Sequence, residues 1–166
     1  KLLTESLLPK LLVSVRSVTE AAAALAGGAH VIDIKEPRHG SLGMADVETI
    51  SAIAEHIHLA KSEQSAVPVS AALGETTDWL GDVAVPVLAC QLDFVKLGTA
   101  GLGTMNDWPE IWLNVRRRFE TASSHELNWI GVSYVDWRSC DGPSPAEVIK
   151  ASAATGADGV LFDTFD

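Results

Sequence analysis

The sequence predicts an α/β fold of the TIM (β/α)8-barrel class, incomplete here with about six βα units in 166 residues. Three observations predict it. Short apolar runs alternate with longer helical patterns along the whole chain. Those runs are continuously apolar, as strands of a parallel sheet buried on both faces should be. Ionisable residues stand at the C-terminal ends of several runs, where barrels place their chemistry. An open doubly wound sheet uses the same alternation. Its Gly-x-Gly-x-x-Gly fingerprint does not follow the first strand, and Gly101-x-Gly103 stands alone.

Each element has a local reason. Leu11–Val15 is the first strand, and Ser17 or Thr19 caps a helix through the Ala-rich stretch Glu20–Ala26. Gly27-Gly28 stops that helix. Val31–Ile34 is the second strand, followed by the loop Glu36–Gly43 with Pro37, Gly40 and Gly43. Asp46–His58 is a helix because Val47, Ile50, Ile53, Ala54 and Ile57 share one face. Val67–Leu73 is a strand ended by Gly74, and Trp79–Cys90 a helix interrupted at Pro86. Phe94–Leu97, ended by Gly98, precedes a helix over Trp108–Thr121. Trp129–Tyr134 is the fifth strand, Pro145–Thr155 a helix stopped by Gly156, and Val160–Phe162 begins a sixth strand.

Residues 1–166 read as one domain, with no linker or low-complexity tract. A complete barrel takes eight units and about 250 residues, so the last two units are expected beyond this stretch. The first residue is Lys1 rather than Met, so the N-terminus is also expected to be incomplete. Six strands alone would leave two sheet edges and apolar surface exposed.

The charge narrows the function classes. Twenty-two acidic against 12 basic side chains give −10, which disfavours a nucleic-acid or anionic-membrane surface. No apolar run reaches the roughly 18 residues of a membrane span, and no secretory leader opens the chain. Cys90 and Cys140 are too few and too far apart for a disulfide framework, which fits a reduced, cytoplasmic protein. Arg116-Arg117-Arg118 reads as a solvated helix face in an acidic protein.

Two lysines carry the chemical expectation. In Asp33-Ile34-Lys35 the alternation of a strand sends Asp33 and Lys35 to one side and Ile34 to the other. Partial desolvation at the mouth of a barrel favours the neutral amine, a nucleophile that forms Schiff bases with carbonyls without a cofactor. The structural alternative is an Asp–Lys pair at a strand end. Phe94-Val95-Lys96-Leu97-Gly98 repeats the theme, with an ion pair to Asp93 or a phosphate-holding charge as the plainer roles of Lys96. Two ammonium groups in one site disfavour each other's charge, so one lysine can bind the carbonyl while the other moves protons. Asp163 stands where it could orient a lysine or cap a helix, and Asp136 follows the fifth strand in the same way. His56 and His58 are two apart and cannot share a metal on one helix face; no Cys/His spacing suggests zinc, and no Gly-x-Ser-x-Gly or Walker motif occurs.

Beyond these general features lie more specific motifs. Leu-Leu-Val-Ser at 11–14, Ala-Gly-Gly-Ala at 26–29, Ile-Asp-Ile-Lys-Glu-Pro at 32–37 and Gly-Ser-Leu-Gly at 40–43 follow in order. With Val69-Ser70-Ala71, Asp93–Gly98, Tyr134-Val135-Asp136, Ala157-Asp158 and Asp163-Thr164, they make nearly the whole chain resemble the (5-formylfuran-3-yl)methyl phosphate synthases. The resemblance implies a TIM-barrel lyase of methanofuran-type cofactor biosynthesis, found in methanogens and in bacteria that oxidise one-carbon compounds. It implies condensation of two glyceraldehyde 3-phosphate molecules with loss of phosphate and water. By the family pattern Lys35 is the Schiff-base lysine and Lys96 the proton acceptor, with Asp33 and Asp163 lining the site. Ser14, Ser70, Gly98 and Asp136, in the same strand-end motifs, are expected to bind substrate. A further family lysine is expected a few residues after the position of Asp163. The expected partner is a phosphorylated triose, with no metal, no cofactor, no nucleic acid and no membrane; a homo-oligomer is compatible with the sequence. The alternatives are a generic Schiff-base aldolase or sugar-phosphate isomerase on the same barrel, and a non-catalytic barrel or inactive fragment.

Overall fold

The computed structural model describes residues 9–60 and 67–165. Six parallel strands form one sheet in the order of the sequence: β1 (Leu12–Val15), β2 (Val31–Ile34), β3 (Val69–Glu75), β4 (Phe94–Gly98), β5 (Trp129–Tyr134) and β6 (Gly159–Asp163). Helices α1 (Val18–Ala26), α2 (Val47–Leu59), α3 (Trp108–Ala122) and α4 (Pro145–Ala154) follow β1, β2, β4 and β5. The sheet curls. Leu12, Val31, Ser70, Phe94, Lys96, Ile130, Val160 and Leu161, drawn from all six strands, line one small cavity of about 190 Å³ on its concave side.

Local chemistry accounts for the helix ends. Ser17 caps α1 by accepting from the Glu20 N–H at 3.2 Å, and Asp46 caps α2 through the Thr49 N–H at 2.7 Å. Ser144 and Glu147 form a capping box at α4, where Pro145 needs no partner for the N–H it lacks. The apolar face foreseen for α2 is the one that packs, with Ile50, Ile53, Ala54 and Ile57 fully buried. These join Ile32, Ile34, Val69, Ala71, Leu73, Val95 and Leu97 in the core between sheet and helices.

Four expectations need correction. No α-helix covers Trp79–Cys90. Thr76–Trp79 makes one 3-10 turn, and residues 80–93 run as an irregular strap. Gly81 takes a left-handed φ of 65°, Pro86 lacks an N–H, and the β-branched Val83, Val85 and Val87 resist helical crowding. The strap is tied down instead by its side chains, Leu88 and Leu92, which enter the core, and the turn before it by Trp79, which donates to the Leu73 carbonyl at 2.7 Å.

The arginine run is the second correction. Arg117 faces solvent, but Arg116 is buried between the rings of Trp112 and Trp129, 4.7 and 5.0 Å from their centroids. Arg118 donates to the carbonyls of Trp79, at 2.6 Å, and of Val83 in the strap. Third, burial on both faces holds for the central strands and fails at the sheet's edges, where Leu12 and Phe162 are 43% and 54% exposed. Fourth, β3 does not end before Gly74; it runs through it to Glu75.

Among the described residues β1 and β6 are each paired on one side, so the sheet is curled and open rather than a closed barrel. No helix among them is long and apolar enough to cross a membrane. Both cysteines are free thiols.

Candidate active site

Parallel register decides which side chains share the concave face. Ser14 pairs with Asp33, Asp33 with Ser70, Ala72 with Lys96, Lys96 with Ile130, and Tyr134 with Asp163. The result is a polar layer at mid-height. Lys96 and Asp33, 3% and 2% exposed, form an ion pair from Nζ to Oδ1. The other oxygen of Asp33 accepts from the Ser14 hydroxyl at 3.1 Å. Ser70 is buried beside Lys96 in the cavity wall. A buried pair of this kind depends on both partners, because removing either leaves an uncompensated charge in the interior.

Neither alternative partner foreseen for these charges is used. Asp33 pairs with Lys96 rather than with Lys35. Asp93 accepts from the Val69 N–H at 2.8 Å, where it caps the start of β3.

Lys35 lies one residue past β2, higher on the same side. Its Nζ donates to the Ser41 carbonyl at 3.3 Å. The Gly-Ser-Leu-Gly segment supplies that acceptor by folding back: Gly43 donates to the Gly40 carbonyl at 3.0 Å, and Glu36 to that of Gly43 at 2.8 Å. The Ser41 hydroxyl then reaches across the mouth to the Thr164 carbonyl at 2.7 Å. Lys35, Pro37, Gly40, Ser41, Asp163, Thr164 and Phe165 line an open pocket of about 340 Å³. This brings Lys35 and Asp163 to one mouth, above the Asp33–Lys96 layer.

Two of the expected binding residues have other neighbours. Asp136 holds a turn, accepting from the Ser139 hydroxyl at 3.2 Å and from the Phe165 N–H at 2.9 Å. Gly98 leaves room for a neighbour, since a β-carbon there would overlap the Glu75 carboxylate. Asp163 accepts from the N–H of Thr164 at 2.9 Å.

Glu75 is the residue that strand periodicity misses. Ala72 pairs with Lys96 but Glu75 pairs with Gly98, so β3 spends three steps where β4 spends two. Gly74, at φ 82°, absorbs the extra residue as a bulge and turns Glu75 onto the concave face. There its carboxylate accepts from the Tyr134 hydroxyl and, at 2.9 Å, from the Ala100 N–H. Burial pushes the Glu75 carboxyl above its ordinary value, against the hydrogen bonds from Tyr134 and Ala100. Burial also pushes the Tyr134 phenol up strongly, with the nearby charges of Glu75 and Asp163 adding to it. A glycine inside a strand was the available signal for a bulge.

The family model described as 4-HFC-P synthase matches residues 11–166. The (5-formylfuran-3-yl)methyl phosphate synthase of Archaeoglobus fulgidus is 32% identical over 158 residues, covering 93% of this chain and 65% of the relative. The proteins of the same name from Methanopyrus kandleri and Methanococcus maripaludis strain C7 are 30% and 28% identical, each 64% covered. The chain thus spans just under two thirds of the length of these curated relatives. The matched region contains the six described strands with Lys35 and Lys96, and the chain belongs to the 4-HFC-P synthase family.

Proposed function

We propose that the full-length protein is a cytoplasmic (5-formylfuran-3-yl)methyl phosphate synthase that condenses two molecules of glyceraldehyde 3-phosphate through a Schiff base on Lys35. The observation that carries the reading is the placement of two lysines at different depths of one concavity in a chain of this family. Lys35 rests on a neutral carbonyl beside an open pocket, so losing its proton strands no carboxylate. The neutral amine attacks the triose carbonyl, and water leaves as the iminium forms. The iminium draws electrons from the adjacent C–H bond, whose proton needs an acceptor.

Lys96 and Asp33 fit that second task. When Asp33 holds the proton of the pair, the Lys96 amine can take the C–H proton, and the positive charge moves from the iminium to the pair as the neutral enamine forms. Asp163, at the mouth with Lys35, is placed to orient the amine or to receive a hydroxyl proton. Carbon–carbon bond formation is then followed by loss of phosphate and water and by ring closure. The six strands form the larger part of a (β/α)8 barrel in this reading, and further strands cover the exposed edges at β1 and β6. The loops of those strands complete the phosphate site.

Borohydride reduction tests the covalent step. Full-length protein incubated with glyceraldehyde 3-phosphate and reduced should carry one triose-derived mass increment on the peptide containing Lys35. Turnover without an increment on that peptide would remove Lys35 from its role.

A further inference from the structure

We infer that Glu75 and Tyr134 form a proton-holding pair at the mouth of the concave face, and that Glu75, acting through Tyr134, is a positioning residue for the chemistry proposed above. The inference rests on that reading for its catalytic half. Its structural half stands on the bulge. A strand continuing past Ala72 in regular alternation would aim Glu75 outward; the left-handed Gly74 aims it inward at the cost of one unpaired residue. Gly98 then accepts the carboxylate at a distance no larger residue would allow. The bulge at Gly74 and the missing side chain at Gly98 thus serve one carboxyl group.

The carboxyl is held at both oxygens, by Tyr134 from β5 and by the Ala100 N–H beyond β4. The charged and titratable groups facing the pair are Asp78 in the 3-10 turn, Asp163 on β6 and Cys140 in the loop after β5. All of them are acidic. Burial among acidic groups disfavours a second negative charge, so the pair retains one shared proton across the neutral range. The phenol donates it while Glu75 is ionised. When Glu75 takes up another proton, the Tyr134 hydrogen is released to turn to a different acceptor.

That exchange is connected to the mouth. The Tyr134 ring meets Phe165 edge-on, with centroids 5.4 Å apart, and Phe165 follows Asp163 by two residues in the wall of the Lys35 pocket. The protonation of Glu75 and the placement of the Asp163 strand end are therefore mechanically linked. The role is positioning, since no atom of Glu75 lines the Lys35 pocket.

The test uses full-length protein in three forms: wild type, Glu75→Gln and Tyr134→Phe. The Glu75 carboxyl is followed by carbon-13 NMR, assigned by its absence in E75Q, and kcat for glyceraldehyde 3-phosphate is measured across pH. Glu75 should titrate above an ordinary glutamate in wild type. In Y134F it should move higher still, because the phenol hydrogen bond that lowers it is gone. The acidic limb of kcat should share its midpoint, shift upward in Y134F and vanish in E75Q. In E75Q kcat should also fall about 10²-fold, the scale of a small misplacement of the reacting groups, with KM changing far less. Borohydride trapping at Lys35 should survive in E75Q.

An ordinary titration of Glu75, or an acidic limb unchanged in E75Q, would overturn the pair. Absence of both turnover and adduct in wild type would instead overturn the synthase reading, and the positioning role with it. The carboxyl titration would still decide the proton-holding half.

Discussion

Lys96 and Lys35 serve one concavity from different depths, and the protein holds them in opposite ways. Lys96 is sealed at mid-height against the Asp33 carboxylate, which is itself held by Ser14. Lys35 sits half-buried at the rim on a single backbone carbonyl, facing an open pocket. The difference teaches what each amine is free to do. Removing Lys96 from its pair strands a buried anion, so its structure and chemistry are inseparable. On the proposed reading, Lys35 bonds covalently while the fold around it stays intact.

The widest separation between the two should appear in activity set against stability. Lys35→Ala should abolish synthase activity by at least about 10⁴-fold, the upper range for a positioned catalytic group. Its unfolding free energy should stay within about 0.5 kcal/mol of wild type, as for a surface change. Steady-state kinetics and urea denaturation of the full-length protein read the two quantities. A large loss of stability in K35A would erase the contrast between the lysines.

Lys96→Met should show the complementary behaviour, with about 3–5 kcal/mol of stability lost because Asp33 is left buried and unpaired. Adding Asp33→Asn should restore part of it, with a coupling of about 1 kcal/mol or more in a double-mutant cycle. Additive losses would mean that the ion pair contributes little of its own. Glu75 gives a third handle, through pH. Its folded-state value lies above the unfolded one, so the stability it contributes is present at low pH and is lost as pH rises from the ordinary glutamate range through the raised folded value. Glu75→Gln should flatten the stability profile across that window, measured by denaturation at successive pH values.

How much of this was legible in the sequence depends on the kind of signal each element uses. β2 and β5 fall on the expected residues, being short runs rich in apolar and β-branched side chains that charged or polar residues interrupt nearby. Local chemistry narrows the α1 cap to Ser17 or Thr19, of which Ser17 is used, whereas Asp46, expected as the first helical residue, caps α2 instead. Asp33, Lys35, Lys96 and Asp163 were visible as charges at strand ends, but their pairing was not. Which lysine meets Asp33 depends on the curl and stagger of the sheet, and the nearer lysine in sequence is not its partner. Trp79–Cys90 misled because its apolar spacing fits a helix, whereas Gly81, Pro86 and distant Arg118 decide the backbone. Glu75 was hidden by a one-residue bulge, which reverses the face of every side chain after it. Arg116 was hidden by its charge, since its burial rests on the two tryptophans that flank it and on the Thr155 hydroxyl, which accepts from it at 3.1 Å.

The smallest expected effect sharpens the contrast from the side of Lys96. Ser14→Ala removes one hydrogen bond to Asp33 and leaves the ion pair on the other carboxylate oxygen. Ser14 lies on β1 at the sheet's edge and is itself exposed, so water can replace its hydroxyl wherever that edge is open. The loss should then be small, about 0.5 kcal/mol. If further strands seal the edge in the full-length protein, water is excluded and Asp33 loses a partner outright. The loss should rise toward about 1.5 kcal/mol, the upper range for a net hydrogen bond. Measuring S14A by urea denaturation in both residues 1–166 and the full-length chain separates these outcomes. Equal losses in the two would mean that Asp33 is already shielded by Lys96 alone, and that the depth of the lower lysine does not depend on what covers β1.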